Sequence, residues 1–486
     1  MRGIEEDIRW MGFQWEGEPR HASSYFEQFY QWAVELVKAG KAYVDHQSAE
    51  EIAENRGTPT RPGVDSSYRS RSVEENLELL EKMKAGEFDE GECILRAKIA
   101  MDHVNILMRD PAIYRIRKEA HHQTGNQWCI YPMYDFAHGY EDAIEGVTHS
   151  LCSLEFENHR PLYDWFLENV SVPHRPHQYE FARLNLTHTI MSKRHLRRLV
   201  EEGLVHGWDD PRMPTLKGMR RRGYPPAAIR KFIEEIGVSK VNSLVDMEFL
   251  FFHIREELNR CAERRMAVLN PLKLTITNWP AGKTEVFQAE NNPENPEAGF
   301  RDIEFSGELW VERSDYMDDA PRKWFRMAPG REVRLKYAYY IRVNEVLRDN
   351  SGEPVELLCT YDPESRGGQS PNGRKVKGTL HWLSRHNAVS AEVRLYDHLI
   401  TLEDVSQVEE DKDFTHYLNP HSETVLEKAF IEPALASAAP EERFQFMRNG
   451  YFVADREEHA PGTKPVFNRI VGLRDSWAKI SKKNQV

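Results

Sequence analysis

A change of texture near residue 262 constrains this chain most. Beyond it, apolar residues alternate with polar ones at Leu272, Leu274 and Ile276 and again at Val333, Leu335 and Tyr337. Asn350-Ser351-Gly352 reads as a hairpin turn, with 355–359 running back as a strand. A period of two demands half-buried strands, and frequent turns between short strands predict a barrel or sandwich. Before residue 262 the dominant period is that of helices. Ile4, Ile8 and Met11 predict an opening helix stopped by Gly12, with a short strand at Phe13-Gln14-Trp15. Ser24-x-x-Glu27, Ser48-x-x-Glu51 and Ser72-x-x-Glu75 read as capping boxes. Residues 57–70 are rich in turn formers, and 128–136 are apolar, aromatic and short, which predicts a buried strand. Strand and helix patterns then alternate over 140–200, and 208–260 are helical, with Gly237 ending an amphipathic stretch. The fold class is therefore α/β followed by all-β.

Composition narrows the classes further. The 486 residues carry 40% hydrophobic and 11% aromatic side chains, enough for several cores and too many for a disordered chain. No apolar run approaches the ~18 residues of a membrane span, and the first residues hold no apolar stretch of the signal-peptide kind. Cys93, Cys129, Cys152, Cys261 and Cys359 stand singly, which argues for a reducing, cytoplasmic setting and against a zinc ribbon or disulfide frame. The net charge of −13 argues against nucleic acid as a partner, but the average hides basic tracks. Four of the six residues 193–198 are basic, and 212–231 hold Arg212, Lys217, Arg220, Arg221, Arg222, Arg230 and Lys231 with no acid among them. An acidic enzyme can carry such tracks, and tracks rather than averages neutralise phosphates.

Several apparent motifs carry little. His121, His122, His138, His149, His174 and His177 have no zinc-ligand spacing. Gly368-x-x-x-x-Gly373-Arg374-Lys375 outlines a P-loop, but Arg replaces its Lys and no helix follows; with Lys377 it reads as surface or RNA-backbone contact. Met191-Ser192-Lys193 gains meaning from its setting, because a lysine on a loop can meet the charge that develops on a phosphate under attack.

Four stretches together point to a family: Tyr131-Pro-Met-Tyr134-Asp-Phe136, Thr148-His149-Ser150-Leu151-Cys152-Ser153-Leu154-Glu155-Phe156, Met191-Ser192-Lys193, and Gly207-Trp208-Asp209-Asp210-Pro211-Arg212-Met213-Pro214-Thr215. In this order they resemble class I glutaminyl-tRNA synthetases and, more loosely, the related glutamyl enzymes. The resemblance implies ligation of L-glutamine to its tRNA through a glutaminyl-adenylate, with ATP and Mg2+ as the substrate complex, no protein-ligated metal, no membrane and a monomeric chain. It implies that Met191, Ser192 and Lys193 hold the ATP phosphates, with Lys193 stabilising the leaving pyrophosphate, and that Ser153, Arg183 and Leu184 also bind ATP. It places Tyr134, His138, Cys152, Phe156 and Gln178 around glutamine, and Asn158, Arg264, Gln445 and Arg448 on the tRNA. At 158 the family is expected to carry Asp; this chain carries Asn. In the glutamyl relatives an Arg is expected where this chain has Cys152, which makes Cys152 the best single residue for choosing glutamine. The implied domains are a remnant of the first half of a Rossmann core at 1–22, an acceptor-end insertion at 23–133, the second half of the core at 134–183, the MSK loop and a helical subdomain at 184–261, and an anticodon-binding β-barrel region, two barrels, at 262–486. The stretch 212–231 would follow the inside of the tRNA. No HIGH-type motif precedes Tyr134, so the resemblance also predicts an incomplete Rossmann core. The alternatives are a glutamyl enzyme and a truncated tRNA-binding paralogue without catalysis.

Overall fold

The computed structural model describes residues 2–370 and 372–474. The last part of the expected β region, 475–486, lies outside the described residues. The chain forms two compact units, one of Trp15–Arg183 with Val238–Ser243, the other of Met1–Gln14, Leu184–Gly237 and Leu244–Val486.

In the first unit the helix Phe26–Lys38 buries the predicted face, Phe26, Phe29, Tyr30, Ala33 and Val37, together with Trp32 and Leu36. A four-stranded antiparallel sheet, Ala42–Asp45, Ile94–Ala97, Ala112–Ile116 and Ile130–Pro132 in that order, shares this core with the helix Val73–Ala85. Ser48 and Glu51 form the complete reciprocal cap. Ser72 accepts from the Glu75 N–H, while the Glu75 carboxylate turns to Arg71 at 3.2 Å. The box expected at Ser24 does not form. A 3-10 turn, Ala22–Tyr25, runs into the helix, so Ser24 is already inside a turn with its own N–H bonded to His21. The expected strand over 128–136 shrinks to Ile130–Pro132, and a helix begins at Tyr134. Phe136, Gly139, Tyr140 and Ala143 are buried at helical spacing, a period that a window ending at 136 cannot reveal.

The helix Tyr134–Glu145 and the helix Arg160–Glu168 pack beside a parallel pair of strands, His149–Ser153 with His177–Phe181. Within the first of these helices Glu141 is half-buried. Burial, reinforced by Glu145 and Asp142, pushes its carboxyl up to about 7 from an ordinary 4.5. Between these values the folded chain holds a proton that the unfolded chain releases. The group's contribution is therefore complete below about pH 4.5 and is lost as pH rises through about 7. Glu141→Gln stays neutral throughout. We expect the variant to match its parent near pH 4.5 and to exceed it by about 1–2 kcal/mol near pH 8, read from urea midpoints.

In the second unit the helix Arg2–Trp10 ends before Gly12, whose φ of 87° fits the predicted stop. Phe13-Gln14-Trp15 form no strand. Two seven-stranded sheets dominate. One runs Thr379–Leu380, Glu332–Leu335, Tyr340–Arg348, Pro354–Asp362, Pro271–Ile276, Glu308–Glu312, Leu383–Ser384. The other runs Ala267–Val268, Glu423–Ile431, Val389–Tyr396, Val466–Val471, Gly450–Ala454, Arg443–Phe446, Glu263–Arg265. Leu272, Leu274 and Ile276 point inward as expected, and Asp349 accepts from the N–H groups of Ser351 and Glu353 to close the expected hairpin. Tyr337 departs from the expected alternation. Its strand ends at Leu335, and Tyr337 sits at φ 67° in a tight turn closed by the Leu335 and Tyr339 backbones.

Helix gives way to strand between Cys261 and Glu263. The helices Leu216–Arg222, Pro226–Ile236 and Met247–Cys261 nevertheless belong to the same compact unit as the sheets. Tyr224, Phe232, Leu250 and Ile254 share one core with Tyr451, Val453 and Ile470. Among the described residues no helix is long and apolar enough to cross a membrane.

Candidate functional site

The strand period builds the first half of the site. Ser150 and Cys152 lie opposite Gln178 and Glu180 in register, so these four share one face of the parallel pair. Gln178 and Glu180 are buried, while Leu151 and Tyr179 on the other face are exposed. Tyr134 and His138, one helical turn apart, stack at 5.2 Å, and the Tyr134 ring meets Phe156 at 5.5 Å. Gln178 donates to the Phe156 carbonyl at 3.1 Å, and the His138 Nε2 lies 3.1 Å from the Ser150 hydroxyl. The residues predicted around glutamine thus gather in one place.

A carboxylate that the motifs do not mark organises them. Asp142 accepts from the Ser150 hydroxyl at 2.6 Å and from the Tyr163 hydroxyl at 3.0 Å, and lies 3.3 Å from His138 Nε2. Its position four residues after His138 was the available signal. Glu180, fully buried, receives Gln178 at 3.0 Å, Arg160 at 3.2 Å and Lys240 at 3.2 Å. Burial alone would raise its carboxyl, but these donors outweigh it and hold the group below the usual carboxylate range. Burial pushes the Cys152 thiol up, and the charges of Asp142 and Glu180 add to the effect. The Tyr134 hydroxyl is raised by burial and by the same negative surroundings. Both amide hydrogens of Gln178 are spent, on Phe156 and Glu180, so the side chain presents its carbonyl oxygen as an acceptor.

The residues predicted to hold ATP divide between the units. Ser153 and Arg183 belong to the first unit, where the Ser153 hydroxyl donates to Glu155 at 2.7 Å and Arg183 is exposed. Leu184, Met191, Ser192 and Lys193 belong to the second. There Ser192 precedes the helix Lys193–Glu201 without spending its hydroxyl on a cap, and Lys193 is exposed at the first helical position.

Of the residues predicted to touch tRNA, Arg264 and Gln445 face each other in register. Arg264 is buried and donates to the Ala262 carbonyl at 2.5 Å and to Asn259 at 2.9 Å; Gln445 donates to the Tyr451 hydroxyl at 2.9 Å. Arg448 makes a two-pronged contact with Asp315 at 2.5 and 2.7 Å. Asn158 is exposed, its carbonyl taking the Asn105 amide at 2.7 Å.

In the basic track over 212–231, Lys217 and Lys231 are exposed, but the four arginines Arg212, Arg220, Arg221 and Arg222 are engaged within the protein. Arg212 pairs with Asp210 at 2.6 Å, Arg220 with Glu441 at 2.5 Å, and Arg221 with Asp455 at 3.0 Å, while Arg222 is buried on backbone carbonyls. Arg212, Arg220 and Arg221 are thus neutralised by carboxylates, and Arg222 is turned inward onto carbonyls, leaving little of these four for phosphates. Arg374 likewise pairs with Glu332 at 3.0 Å and with Asp362. Among the described residues no cluster of His, Cys, Asp and Glu is arranged to hold a metal ion.

Comparison with known proteins places these observations. Residues 1–260 match the catalytic domain of the class I tRNA synthetases (E and Q), and residues 262–362 and 379–455 match two anti-codon binding domains of the same group. The glutamine--tRNA ligase of Bradyrhizobium diazoefficiens is 55% identical over 476 residues, covering 98% of this chain and 84% of that protein. The glutamine--tRNA ligase of Clostridium kluyveri is 54% identical over 477 residues, 98% of this chain and 85% of that protein. That of Rhodopirellula baltica is 54% identical over 482 residues, 99% and 79% of the two chains. The expectation of an absent HIGH segment and an incomplete Rossmann core is not confirmed by these comparisons, in which residues 1–260 match the catalytic domain.

Proposed function

The chain belongs to the class I tRNA synthetases (E and Q), and on that footing we propose that it ligates glutamine to its cognate tRNA through a glutaminyl-adenylate, using ATP as its magnesium complex and releasing AMP and pyrophosphate. The observation that carries glutamine rather than glutamate is the presentation of the Gln178 carbonyl oxygen. An acceptor recognises the NH2 of a side-chain amide and has nothing to offer a carboxylate. The field around Cys152 works the same way. Asp142 and Glu180 both raise the Cys152 thiol; Glu180 is offset by Arg160 and Lys240, which leaves Asp142 as the carboxylate against which a glutamate side chain would be desolvated.

In this reading Tyr134, His138 and Phe156 form the aromatic wall of the glutamine site, Asp142 and Ser150 fix the His138 ring, and Glu180 fixes the Gln178 amide. Lys193, with Met191 and Ser192, meets the phosphate charge that grows as pyrophosphate leaves; Ser153, Arg183 and Leu184 complete the nucleotide contacts. Asn158, Arg264, Gln445 and Arg448 contact the tRNA. Arg264 and Gln445 form one buried cluster with Asn259 and Tyr451, suited to an unstacked base edge.

Charging of tRNA with glutamine and with glutamate, in parallel, tests the proposal. Glutamine alone should be esterified; equal charging with glutamate would return the glutamyl reading. Absence of ATP–pyrophosphate exchange in the presence of tRNA would leave a binding module. Cys152→Arg places a cation where a glutamate carboxylate would need one. We expect its preference for glutamine over glutamate, as a ratio of kcat/KM, to fall by about tenfold to a hundredfold. An unchanged ratio would remove Cys152 from specificity.

A further inference from the structure

The second unit encloses a cavity of about 230 Å3 that the synthetase reading leaves unused. Its lining combines apolar residues, Ile190, Leu196, Met213 and Phe251, with cationic ones, Arg222 and Arg469 among them. Arg222, 7% exposed, donates only to backbone carbonyls, those of Ile470 at 3.3 Å, Pro211 at 3.4 Å and Tyr396 at 3.3 Å. Arg469 donates to the same Tyr396 carbonyl at 2.9 Å. Two guanidiniums therefore converge on one oxygen, and among the described residues neither touches a carboxylate.

The rest of the lining does not restore the balance. Arg212 is paired with Asp210 at 2.6 Å and Arg255 with Glu248 at 3.3 Å. Among the described residues of the lining that leaves Arg222, Arg469 and the exposed Arg474 around a single further carboxylate, Asp397. The strain is visible in Arg469, whose guanidinium burial holds below its ordinary value, with Arg222 adding repulsion. His188 Nδ1 is buried with no hydrogen-bond partner among the described residues, and its ring stacks on His398 at 4.5 Å. Partly desolvated like charges that share one carboxylate, Asp397, are costly, and an anion seated between them reduces the cost.

We propose that this cavity binds a small organic phosphate, with Arg222 and Arg469 on the phosphoryl oxygens and an apolar body against Ile190, Met213 and Phe251. A phosphoryl group offers the acceptor oxygens that guanidiniums match in two-pronged fashion. The bound molecule would lie against Ile190 and Leu196, which bracket Met191-Ser192-Lys193 in sequence.

The test is calorimetric titration of the full chain, without nucleotide or tRNA, with phenyl phosphate and with inorganic phosphate. Phenyl phosphate should bind and inorganic phosphate should bind more weakly, because it lacks the apolar body. Binding should persist in Lys193→Ala, which separates the cavity from the loop that meets ATP, and weaken by about tenfold or more in Arg469→Gln. If Arg469→Gln fails to fold by circular dichroism, Arg469→Lys, which keeps the charge but loses the two-pronged guanidinium, should weaken binding several-fold. No binding at millimolar phenyl phosphate, binding unchanged in the folded arginine variant, or binding lost in Lys193→Ala would each overturn the proposal.

Discussion

Replacing Lys193 by alanine lowers glutamine charging by about 10²–10³-fold in kcat/KM, with no change in the urea midpoint. The second half of that expectation comes from the surroundings of the side chain. Lys193 is exposed at the first position of its helix and makes no hydrogen bond or ion pair among the described residues. Nothing in the fold depends on its charge. A cation placed where phosphate charge grows acts mainly in the transition state, so the loss belongs in kcat, with the KM for glutamine nearly unchanged. Steady-state charging and ATP–pyrophosphate exchange read both quantities. Activity within threefold of the parent would take Lys193 out of the reaction.

Asp45→Ala should destabilise the first unit by about 3–5 kcal/mol. Asp45 and Arg96 meet at 2.7 Å with 0% and 1% of their side chains exposed. Arg96 also donates to the Asp110 carbonyl at 2.7 Å, and Asp45 accepts from Gln47 at 2.9 Å and Ser66 at 3.1 Å. Removing the carboxylate strands a guanidinium in the core and leaves two further donors unmet. Replacing both charges, as Asp45→Leu with Arg96→Met, should cost clearly less, because no uncompensated charge remains. Urea unfolding followed by near-ultraviolet circular dichroism compares the two. A single variant losing under about 1 kcal/mol would contradict the burial of the pair.

The contrast between Ser48 and Ser24 shows what was legible in the sequence. A capping box is local, and Ser48 with Glu51 formed one. At Ser24 a neighbouring turn took over the helix start, and no pattern in the serine and glutamate records that. Gly12 and Gly237 were readable because a positive φ is a property of one residue. The residues proposed to surround glutamine were named through their motifs. Their supports were not, since Ser150, Glu180 and Asp142 acquire meaning only from the register of two strands and the packing of a helix against them. The arginines over 212–231 failed for the same reason in reverse. Charge is a property of a stretch, whereas the partners are set by packing: Asp209 and Asp210 lie close by, but Glu441, Asp455 and Glu458 lie beyond any local window.

Those long-range pairs also bear on how the chain is made. The residues of Trp15–Arg183 leave the ribosome early, and that stretch already holds most of its own core. Arg220 and Arg221 wait for partners 221 and 234 positions later. At about 5–20 residues per second that is a delay of roughly 10–45 s, during which the helices carrying them have their apolar side uncovered. The second unit is therefore the stretch of nascent chain that most needs chaperone cover, and slowing translation between 223 and 441 should reduce soluble yield more than slowing it before residue 183.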